Sequence, residues 1–460
     1  MSKLSRRSFL AASAALVAAP ALRIDQACAA DVDVAIIGAG AAGIAAARRV
    51  AAAKRSFRLI EAGDRIGGRC VTDTAAFGVS FDLGAHWIRT PDANPLARLA
   101  PAGFDVYPAP RGLSMRVGPR DARAGELESF LAGLVRARRA FDDAGRARID
   151  IAAARALPRD LGAAQDAIEF VAGPLACGKD LSEMSVVDLG RAVGRDGDAF
   201  CRQGYGALLA ALGAGLDVQL ANPVDAIAWG RGPSVNSQRG TLIARAVILT
   251  VSTKVLASDK IEFFPPLPRR QRNAVEKLTL GSYDHIALEM PDNPLRLLKD
   301  DLVFEQAHDK RTAALLANVS GTSLHLVEVA GSFGRELAAQ GEGAMIDFAR
   351  TWLGSLFGAG VKDKIKRAHV TRWNEHPFVL GAMSAAAVGG ADARKVLMEP
   401  LGGRVWFAGE AVHETKWGTV EGAWESGERA ADAVLRHLGG LKEDAKKPPR
   451  RSRRRRGGDH

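Results

Sequence analysis

A glycine-rich turn near the start of the chain carries the clearest chemistry in the sequence. Gly38, Gly40 and Gly43 follow a short apolar run and open an alanine-rich stretch, and Glu61 ends the next apolar run. This order predicts a strand, a turn, a helix and a second strand, in which the glycines permit a tight turn, close approach of a pyrophosphate and close helix packing. The helix N-terminus would face the phosphates, and Glu61 would accept hydrogen bonds from a ribose hydroxyl. The stretch therefore predicts a dinucleotide-binding site.

Two further stretches favour FAD over a nicotinamide dinucleotide. Soon after Glu61, residues 65–69 read Arg-Ile-Gly-Gly-Arg. A nicotinamide site does not need this second glycine pair, whereas an FAD in an extended site needs further backbone close to its pyrophosphate. Residues 81–88 then read Phe-Asp-Leu-Gly-Ala-His-Trp-Ile, which predicts a turn where the backbone approaches the isoalloxazine ring.

Taken with later motifs, the sequence resembles the flavin-containing amine oxidase family, which includes monoamine oxidases, polyamine oxidases and lysine-demethylase-type enzymes. The matching motifs recur along nearly the whole chain beyond residue 30, at residues 38–61, 65–69, 82–88, 203–208, 224, 240–250, 373–384, 405–410 and 417–431. The resemblance implies hydride transfer to flavin N5 from the carbon next to a neutral primary or secondary amine, with polyamines among the options. The resulting imine would give an aldehyde, and O2, with H2O2 formed, or another acceptor would reoxidise the flavin.

The resemblance also implies which residues hold FAD. Ala382 stands where some members attach the flavin through a cysteine, so a non-covalent cofactor is expected. Val224 resembles the residue whose backbone meets the adenine, and Glu410 resembles the residue on the ribityl chain. The implied cofactor contacts are Gly38, Gly40, Ala42, Gly43, Glu61, Ala62, Arg69, Gly84, Ala85, His86, Trp87, Val224, Gly409, Glu410, Thr419 and Val420.

Four residues are expected at the reacting end of the flavin, namely His285, Met383, Trp417 and Thr419. His285 occupies the place of a lysine that, in many members, holds a water against flavin N5, and a histidine can also hydrogen-bond a water. Met383 and Thr419 stand where monoamine oxidases have two aromatic side chains, so that aromatic sandwich is absent and Trp417 becomes a candidate wall. Because the flavin carries the hard step, no acid–base triad is expected.

Three alternatives to simple amine oxidation follow from the same residues. Members that act on amino acids usually carry an arginine shortly after the Gly-Ala of the ring-facing turn, where it clamps a carboxylate. Here that turn continues with His86 and Trp87, and Arg89 is displaced by two residues, which disfavours an amino acid although Arg89 could be recruited. An FAD enzyme of related fold that acts on a C–C bond, such as a desaturase, is a second alternative. A flavoprotein without turnover, serving as a binding partner, is the third.

The predicted fold class is α/β, with two intertwined domains. A Rossmann-like FAD-binding domain is assembled from separated segments, and a substrate-binding domain of α+β character carries an antiparallel sheet and helices. Helical periodicity covers residues 126–141 and 344–357, and apolar alternation at residues 283–290 and 324–330 predicts strands. The segments are residues 30–95, 201–262 and 395–440 for the FAD-binding domain, and residues 96–200 and 263–394 for the substrate-binding domain.

The two chain ends account for most of the positive charge. The net charge is +11, of which residues 1–29 contribute +3 and the segment from residue 442 onward contributes +6, so no nucleic-acid binding is predicted. Residues 1–29 combine paired arginines, a short apolar run and Ala-Cys-Ala, which is typical of a twin-arginine signal peptide. We expect export in the folded state by the twin-arginine machinery to the periplasm, no stable membrane span, and a disordered basic tail at residues 441–460.

Cysteine spacing predicts no metal site. Beyond the signal peptide the chain has Cys70, Cys177 and Cys201, which are widely separated and lack the paired spacing of zinc ligands. They also give no disulfide framework, so buried thiols are expected. The amine, the electron acceptor and the oligomeric state are left open by the sequence.

Overall fold

The computed structural model describes residues 30–110, 112–147, 149–193, 198–230 and 232–439. The predicted signal peptide and basic tail lie outside these described residues. The strands are β1 (Val32–Ile37), β2 (Phe57–Ile60), β3 (Thr72–Asp73), β4 (Phe81–Asp82), β5 (Val106–Pro108), β6 (Leu113–Val117), β7 (Arg120–Asp121), β8 (Ala199–Cys201), β9 (Val218–Gln219), β10 (Val224–Ala228), β11 (Ser234–Ser237), β12 (Gly240–Leu249), β13 (Glu262–Phe264), β14 (Tyr283–Glu289), β15 (Leu302–Glu305), β16 (Ala314–Leu316), β17 (Leu324–Ala330), β18 (Arg367–Val370) and β19 (Val405–Phe407).

Helices connect and cover these strands. The α-helices are α1 (Ala41–Ala52), α2 (Pro95–Arg98), α3 (Ala124–Ala147), α4 (Gln165–Phe170), α5 (Val186–Arg191), α6 (Tyr205–Leu212), α7 (Thr253–Leu256), α8 (Arg269–Lys277), α9 (Gly331–Ala339), α10 (Glu342–Phe357), α11 (Ala393–Met398) and α12 (Val420–His437). Within the described part of the chain, no helix combines the length and the apolar character needed to cross a bilayer.

The first large sheet is built around β1. Its strand order is β13-β10-β11-β12-β1-β2-β9, and β19 also pairs with β12. β1 runs parallel to β2 and β12, with Ile36 opposite Leu59 on one side and Ile248 on the other. All three side chains are fully buried, as expected for a parallel strand that is covered by helices on both faces. The apolar runs of the sequence therefore become the centre of the first sheet.

Helices α1 and α12 pack closely on this sheet and on each other. A Cβ added at Gly427 of α12 would lie 2.1 Å from the carbonyl oxygen of Ala42 in α1. Only a glycine allows the two helix backbones to approach so closely. The helix that follows the glycine-rich turn is thus held in place by a helix near the C-terminus.

The strands of this sheet come from the three predicted segments, with one difference at a boundary. The predicted limit at residue 262 falls inside β13, and the chain stays with this sheet through α8. Ala274, Val275 and Leu278 are buried in the same apolar core as Val247 and Phe407. Helix α8, which follows the proline-rich bend after β13, therefore packs against the first sheet.

The second large sheet has the order β18-β14-β17-β16-β15-β6-β7, and its neighbours are antiparallel except for β15 and β6. Its central pair, β14 and β17, matches the two stretches in which apolar alternation predicts strands. Ile286 and Val329 pack with Phe333 of α9 and Trp352 of α10, which cover one face. The alternate residues of β14 and β17 point to the other face. They include His285 and Glu328, which lie opposite each other in the strand pair.

Candidate active site

A cavity of about 1140 Å³ is lined by residues of both large sheets. It is larger than the roughly 300–1,000 Å³ of ordinary small-molecule pockets, which suits a dinucleotide together with a substrate. Its wall begins at the glycine-rich turn after β1 and passes Gly84 of the ring-facing turn. It ends on β14 and β17, where Tyr283 and Glu328 contribute side chains.

The glycine-rich turn has the geometry that its sequence predicts. Gly38 has a φ of +98°, which a side chain would disfavour. A Cβ added at Gly43 would lie 1.8 Å from the carbonyl oxygen of Gly38, so α1 can pack on the turn only because Gly43 has none. No side chain caps the N-terminus of α1 at Gly40, and Gly40 itself lines the cavity. Backbone N–H groups at this helix end are therefore available to an anion.

Glu61 is held at the end of β2 by two backbone N–H groups. Its Oε2 accepts from Ala39 at 2.7 Å, and its Oε1 accepts from Gly63 at 2.8 Å. A carboxylate has about four acceptor positions, so further lone pairs stay available on the cavity side. The two backbone bonds fix the carboxylate beside the glycine-rich turn.

The glycine pair Gly67 and Gly68 packs directly on the glycine-rich turn. Gly67 donates its N–H to the carbonyl of Ala39 at 2.8 Å, and a Cβ added at Gly68 would lie 3.3 Å from the Cα of Gly40. Both glycines have positive φ. Two stretches of bare backbone, separated in sequence, thus form one continuous part of the cavity wall.

Glu410 joins four segments behind the middle of the cavity. Its Oε1 accepts from Arg69 at 3.0 Å and from the N–H of Ser384 at 3.1 Å. Its Oε2 accepts from the Ser384 hydroxyl at 2.7 Å and from the N–H of Gly418 at 2.9 Å. Although burial opposes ionisation, Arg69 and Arg394 hold the pKa of Glu410 below its usual range. The carboxylate lines the cavity and also fixes the loops around it.

Trp417 lies outside the cavity wall. Its side chain is fully buried, and the Arg394 guanidinium stacks over its ring at 4.4 Å. Arg394 forms a bidentate ion pair with Asp188, with both N–O distances at 2.8 Å. This buried group supports the loop before α12 from behind, so Trp417 holds the site in shape without being one of its lining residues.

His86, Tyr283 and Glu328 form the polar part of the wall on the substrate side. Burial favours the neutral ring of His86, but the neighbouring Glu328 outweighs it and raises the pKa of His86. Burial likewise opposes ionisation of Glu328, but His86 holds the pKa of this carboxyl below its usual range. Burial and the charge of His86 lower the pKa of His285 to about 4. Near neutral pH, the wall therefore carries an ionised Glu328 in front of a neutral His285.

Most residues predicted for the site line this one cavity. The exceptions among them are Gly43, which packs behind the turn, Trp417, and His285, which is 1% exposed and lies behind the wall. The predicted residues that line the cavity are Gly38, Gly40, Ala42, Glu61, Ala62, Arg69, Gly84, Ala85, His86, Trp87, Val224, Met383, Gly409, Glu410, Thr419 and Val420.

Sequence reasoning missed Tyr283, Asp300 and Glu328 as lining residues. Glu328 had a usable signal, because a carboxylate within the apolar run of β17 must find a polar partner once it is buried. Tyr283 and Asp300 had no such signal, since the first begins a strand and the second lies in a loop.

The sequence profile of the family described as flavin containing amine oxidoreductase matches residues 41–435. The chain belongs to this family. It is 26% identical over 505 residues to polyamine oxidase 1 of Oryza sativa subsp. japonica, covering 88% of this chain and 98% of the relative. It is 27% identical over 439 residues to lysine-specific histone demethylase 2 of Homo sapiens, covering 87% of this chain and 53% of the relative.

Solved structures share the fold. Wild-type putrescine oxidase bound to putrescine superposes with a TM-score of 0.76 at 20% identity, covering 88% of this chain and 99% of that one. Cyclohexylamine oxidase from Brevibacterium oxydans IH-35A gives a TM-score of 0.74 at 22% identity, covering 89% and 100%. The flavin amine oxidoreductase described here is an enzyme with FAD as its cofactor and an amine as its substrate.

The residues present fit FAD. Bare backbone at Gly40 and Gly68 would receive the pyrophosphate, and the fixed Glu61 carboxylate would receive the ribose hydroxyls. The N-terminus of α12, at Thr419 and Val420, lines the other end of the cavity. A helix N-terminus there would stabilise negative charge at the pyrimidine end of the flavin.

Proposed function

We propose that this flavin amine oxidoreductase oxidises the C–N bond of an aliphatic primary or secondary amine, with polyamines as the first class to test. The observation that carries the proposal is the single cavity that extends from Glu61 to Glu328. When bound, FAD supplies the hydride acceptor for the carbon next to nitrogen and passes the electrons to O2 or another acceptor, while the imine product hydrolyses to an aldehyde. The protein contributes position, charge and exclusion of water.

The reacting amine would lie among weakly polar walls. The Thr419 hydroxyl accepts from the N–H of Gly422 at 3.0 Å and donates to the carbonyl of Lys416 at 2.7 Å, so this hydroxyl is occupied by the helix cap. Met383 lines the cavity, and Trp373 and Phe378 supply aromatic surface there. Such walls favour the neutral form of an amine, which is the form with a free electron pair on nitrogen.

A carboxylate in the cavity wall supports a polyamine. Asp300 lines the cavity and can attract an ammonium group that lies away from the reacting nitrogen. Asp300 accepts from the Tyr107 hydroxyl at 2.9 Å and from the N–H of Ser320 at 2.6 Å, which fixes its position. Polyamine oxidase 1 of Oryza sativa, which this chain resembles in sequence, and putrescine oxidase, which shares its fold, are named for the same class of substrate.

An amine that also bears a carboxylate is a second candidate. Arg89 lines the cavity, and its Nη1 is buried without a hydrogen-bond partner. A guanidinium in this state suits the two oxygens of a carboxylate. This observation keeps amino acids and their N-alkylated forms in the panel of substrates.

The test is anaerobic mixing of the purified holoenzyme with polyamines, diamines, simple alkylamines and amino acids. Bleaching of the oxidised flavin absorption by one class identifies the substrate, and bleaching by none would contradict amine oxidation. Readmission of air then separates an oxidase, which regains colour and forms H2O2, from a dehydrogenase.

Arg89→Gln separates the two substrate classes. We expect it to raise KM for a carboxylate-bearing amine by roughly 10- to 100-fold, because a charge-assisted bidentate contact is lost. The same change leaves KM for a polyamine within about 2-fold or lowers it, since it removes a cation from the cavity. Arg98→Gln, on the exposed last turn of α2, is the matched control.

We propose that FAD is bound without a covalent link, because Ala382 offers no thiol at the position of the attached cysteine. Cys70 and Cys177 also line the cavity, so the proposal needs a direct test. After acid precipitation, the yellow colour should stay in the supernatant. Flavin that remains with the pellet would contradict a non-covalent site.

We also propose export to the periplasm by the twin-arginine machinery. The support is the pattern of residues 1–29, with Arg6 and Arg7 before a short apolar run. Export in the folded state suits an enzyme whose cofactor is held between distant parts of the chain.

A further inference from the structure

A buried cluster of His86, His285 and Glu328 lies at the substrate end of the cavity. His285 and Glu328 are paired opposite each other on β14 and β17, and His86 belongs to the loop after β4. Glu328 Oε1 is 3.1 Å from His86 Nε2 and 3.8 Å from His285 Nε2. The ligand-type atoms of the three residues all lie within 4.8 Å of one another.

Backbone carbonyls fix both imidazole rings. His285 Nδ1 is 3.0 Å from the carbonyl oxygen of Asp82, and His86 Nδ1 is 3.4 Å from the carbonyl oxygen of Gly84. A carbonyl oxygen can only accept, so the hydrogen of each neutral ring is on Nδ1 and each Nε2 presents a lone pair. Metal-binding histidines commonly have this outer arrangement.

The inner atoms of the cluster are poorly satisfied by hydrogen bonds. Neither Nε2 and neither oxygen of Glu328 makes a hydrogen bond of ordinary geometry, although His86 is only 7% exposed and the other two residues are 1% exposed. Tyr283 neighbours the carboxylate as a hydroxyl donor. Buried acceptors that converge in this way are stabilised by a proton or a metal cation between them.

The distances suit a metal ion at the centre of the cluster. A tetrahedral ion with bonds of about 2.0–2.1 Å separates its ligands by roughly 3.3 Å, and the two N–O distances of 3.1 and 3.8 Å fall on either side of this value. A single proton could join Glu328 to His86 but would leave His285 Nε2 without a partner. An ion at the centre satisfies all three residues.

We propose that His86, His285 and Glu328 bind one divalent transition-metal ion, in the first instance Zn²⁺, in the wall of the amine cavity. Two imidazoles and one carboxylate are a ligand set used for Zn²⁺ and for non-haem iron. His86 and Glu328 line the cavity, so the remaining coordination position faces it and takes a water molecule. The inference adds a binding site to the enzyme and does not depend on which amine is oxidised.

The experiment measures metal content and affinity on the FAD-loaded enzyme. The enzyme is treated with a chelator, incubated with Zn²⁺ and passed through a gel-filtration column. Elemental mass spectrometry should then find about one ion per chain in wild type. With Co²⁺, ligand-field absorption should develop at longer wavelength than the bands of oxidised flavin. Glu328→Gln and His86→Gln should each weaken binding by more than about 100-fold, because even loss of an outer-shell partner costs roughly 10- to 100-fold.

His325→Gln is the matched control. His325 lies on the same strand as Glu328, is fully buried and also has an Nε2 without a hydrogen-bond partner, but it is outside the cluster. Its substitution should leave Zn²⁺ affinity within about 2-fold of wild type. The absorption spectrum of bound flavin checks folding, and His285→Gln replaces any cluster variant that fails to bind FAD.

Two results would overturn the proposal. One is a wild-type enzyme that retains no stoichiometric Zn²⁺ or Co²⁺, which would mean that a proton alone holds the cluster together. The other is a cluster variant that loads with FAD and still binds the ion as tightly as His325→Gln does.

Discussion

At Gly43 the absence of a single side-chain carbon determines whether the cofactor turn can form. A Cβ there would lie 1.8 Å from the Gly38 carbonyl oxygen and 2.9 Å from its carbonyl carbon, both of which are backbone atoms. Backbone cannot rotate away as the end of a long side chain can, so α1 would have to move off the turn. The glycine therefore acts on FAD without lining the cavity.

Gly43→Ala should lower FAD occupancy after purification at least 10-fold and destabilise the protein by roughly 1–3 kcal/mol, because the added methyl group overpacks a rigid contact. Flavin absorbance per chain and thermal unfolding measure the two effects. Gly343→Ala is the control, since that exposed glycine in α10 has open space around its added Cβ. The control should be neutral or slightly stabilising. Full FAD occupancy in Gly43→Ala would contradict the packing argument.

Asp284 is a buried carboxyl that resists ionisation. It accepts from the N–H of Trp373 at 2.8 Å and from the Thr371 hydroxyl at 3.1 Å, while its Oδ2 is buried without a partner. Burial raises the pKa of Asp284 to about 6, against 3.8 for the free group. The folded protein therefore takes up a proton here between about pH 4 and pH 6 that the unfolded chain does not hold.

Asp284→Asn should raise stability near neutral pH and have little effect near pH 4. The contribution of Asp284 to the stability of wild type falls as pH rises through this window, because the folded state must release a proton from a buried site. Asparagine keeps the acceptor for Trp373 and has no charge, so the difference between variant and wild type should grow to roughly 2–3 kcal/mol at pH 7. Urea unfolding at several pH values measures it. Asp347→Asn, on an exposed part of α10, controls for the loss of one carboxylate, and equal pH dependence in both variants would refute the assignment.

The shape of the glycine-rich turn could be predicted from the local sequence, and the buried arrangement around His285 could not. The roles of Gly38 and Gly43 depend on contacts within one local strand, turn and helix, which their spacing specifies. His285 could be assigned to a strand, but its position behind the wall depends on Glu328, which is more than forty residues away in sequence and pairs with it across two strands. Long-range pairing of this kind has no local signature in a single sequence.

Short helices α5 and α11 are joined by a buried ion pair. The Arg394 and Asp188 side chains are each 2% exposed, and Asp188 also accepts from the N–H of Ala386 at 3.0 Å. Arg394 further donates to the Ser384 hydroxyl at 3.1 Å, which in turn contacts Glu410. Through these bonds the helices of the substrate side are connected to the loop that supports the flavin end of the cavity.

Asp188→Ala should destabilise the protein by about 3–5 kcal/mol, because it leaves the Arg394 charge buried without compensation. Equilibrium unfolding in urea gives the change in free energy. Asp143→Ala removes the partner of Arg146 from an exposed pair on α3, where the side chains are 71% and 74% exposed, and should stay within about 0.5 kcal/mol of wild type. Similar losses in the two variants would argue against a special role for the buried pair.

The periodicity of the sequence predicts which segments form strands and helices more reliably than it predicts which of these elements pack together. Alternation at residues 324–330 predicted β17, and helical periodicity at residues 126–141 predicted part of α3. The predicted limit of the FAD-binding part at residue 262 falls within β13, and Pro265 and Pro266 follow that strand. The buried side chains of α8 return the chain to the first sheet, which only the assembled core reveals.

On the scale of the whole molecule, export can be tested separately from catalysis. If the proposed signal directs export, replacement of both Arg6 and Arg7 by lysine should abolish transport of the full chain to the periplasm. FAD binding in the cytoplasm should stay normal, since the two residues lie outside the described fold. Cell fractionation and flavin content measure the two outcomes. Replacement of Arg49 and Arg55, near the end of α1, by lysine is the matched control. Unchanged transport in the Arg6 and Arg7 variant would contradict the twin-arginine route.

The contact between Gly427 of α12 and Ala42 of α1 has a consequence for biosynthesis. The ribosome completes the glycine-rich turn early, yet the helix that braces α1 is among the last parts of the described fold to be translated. A nascent chain therefore has no complete FAD site until nearly all of it has emerged. Chains that are truncated before α12 should be colourless and open to proteolysis, so cofactor uptake would serve the cell as a checkpoint for full-length translation.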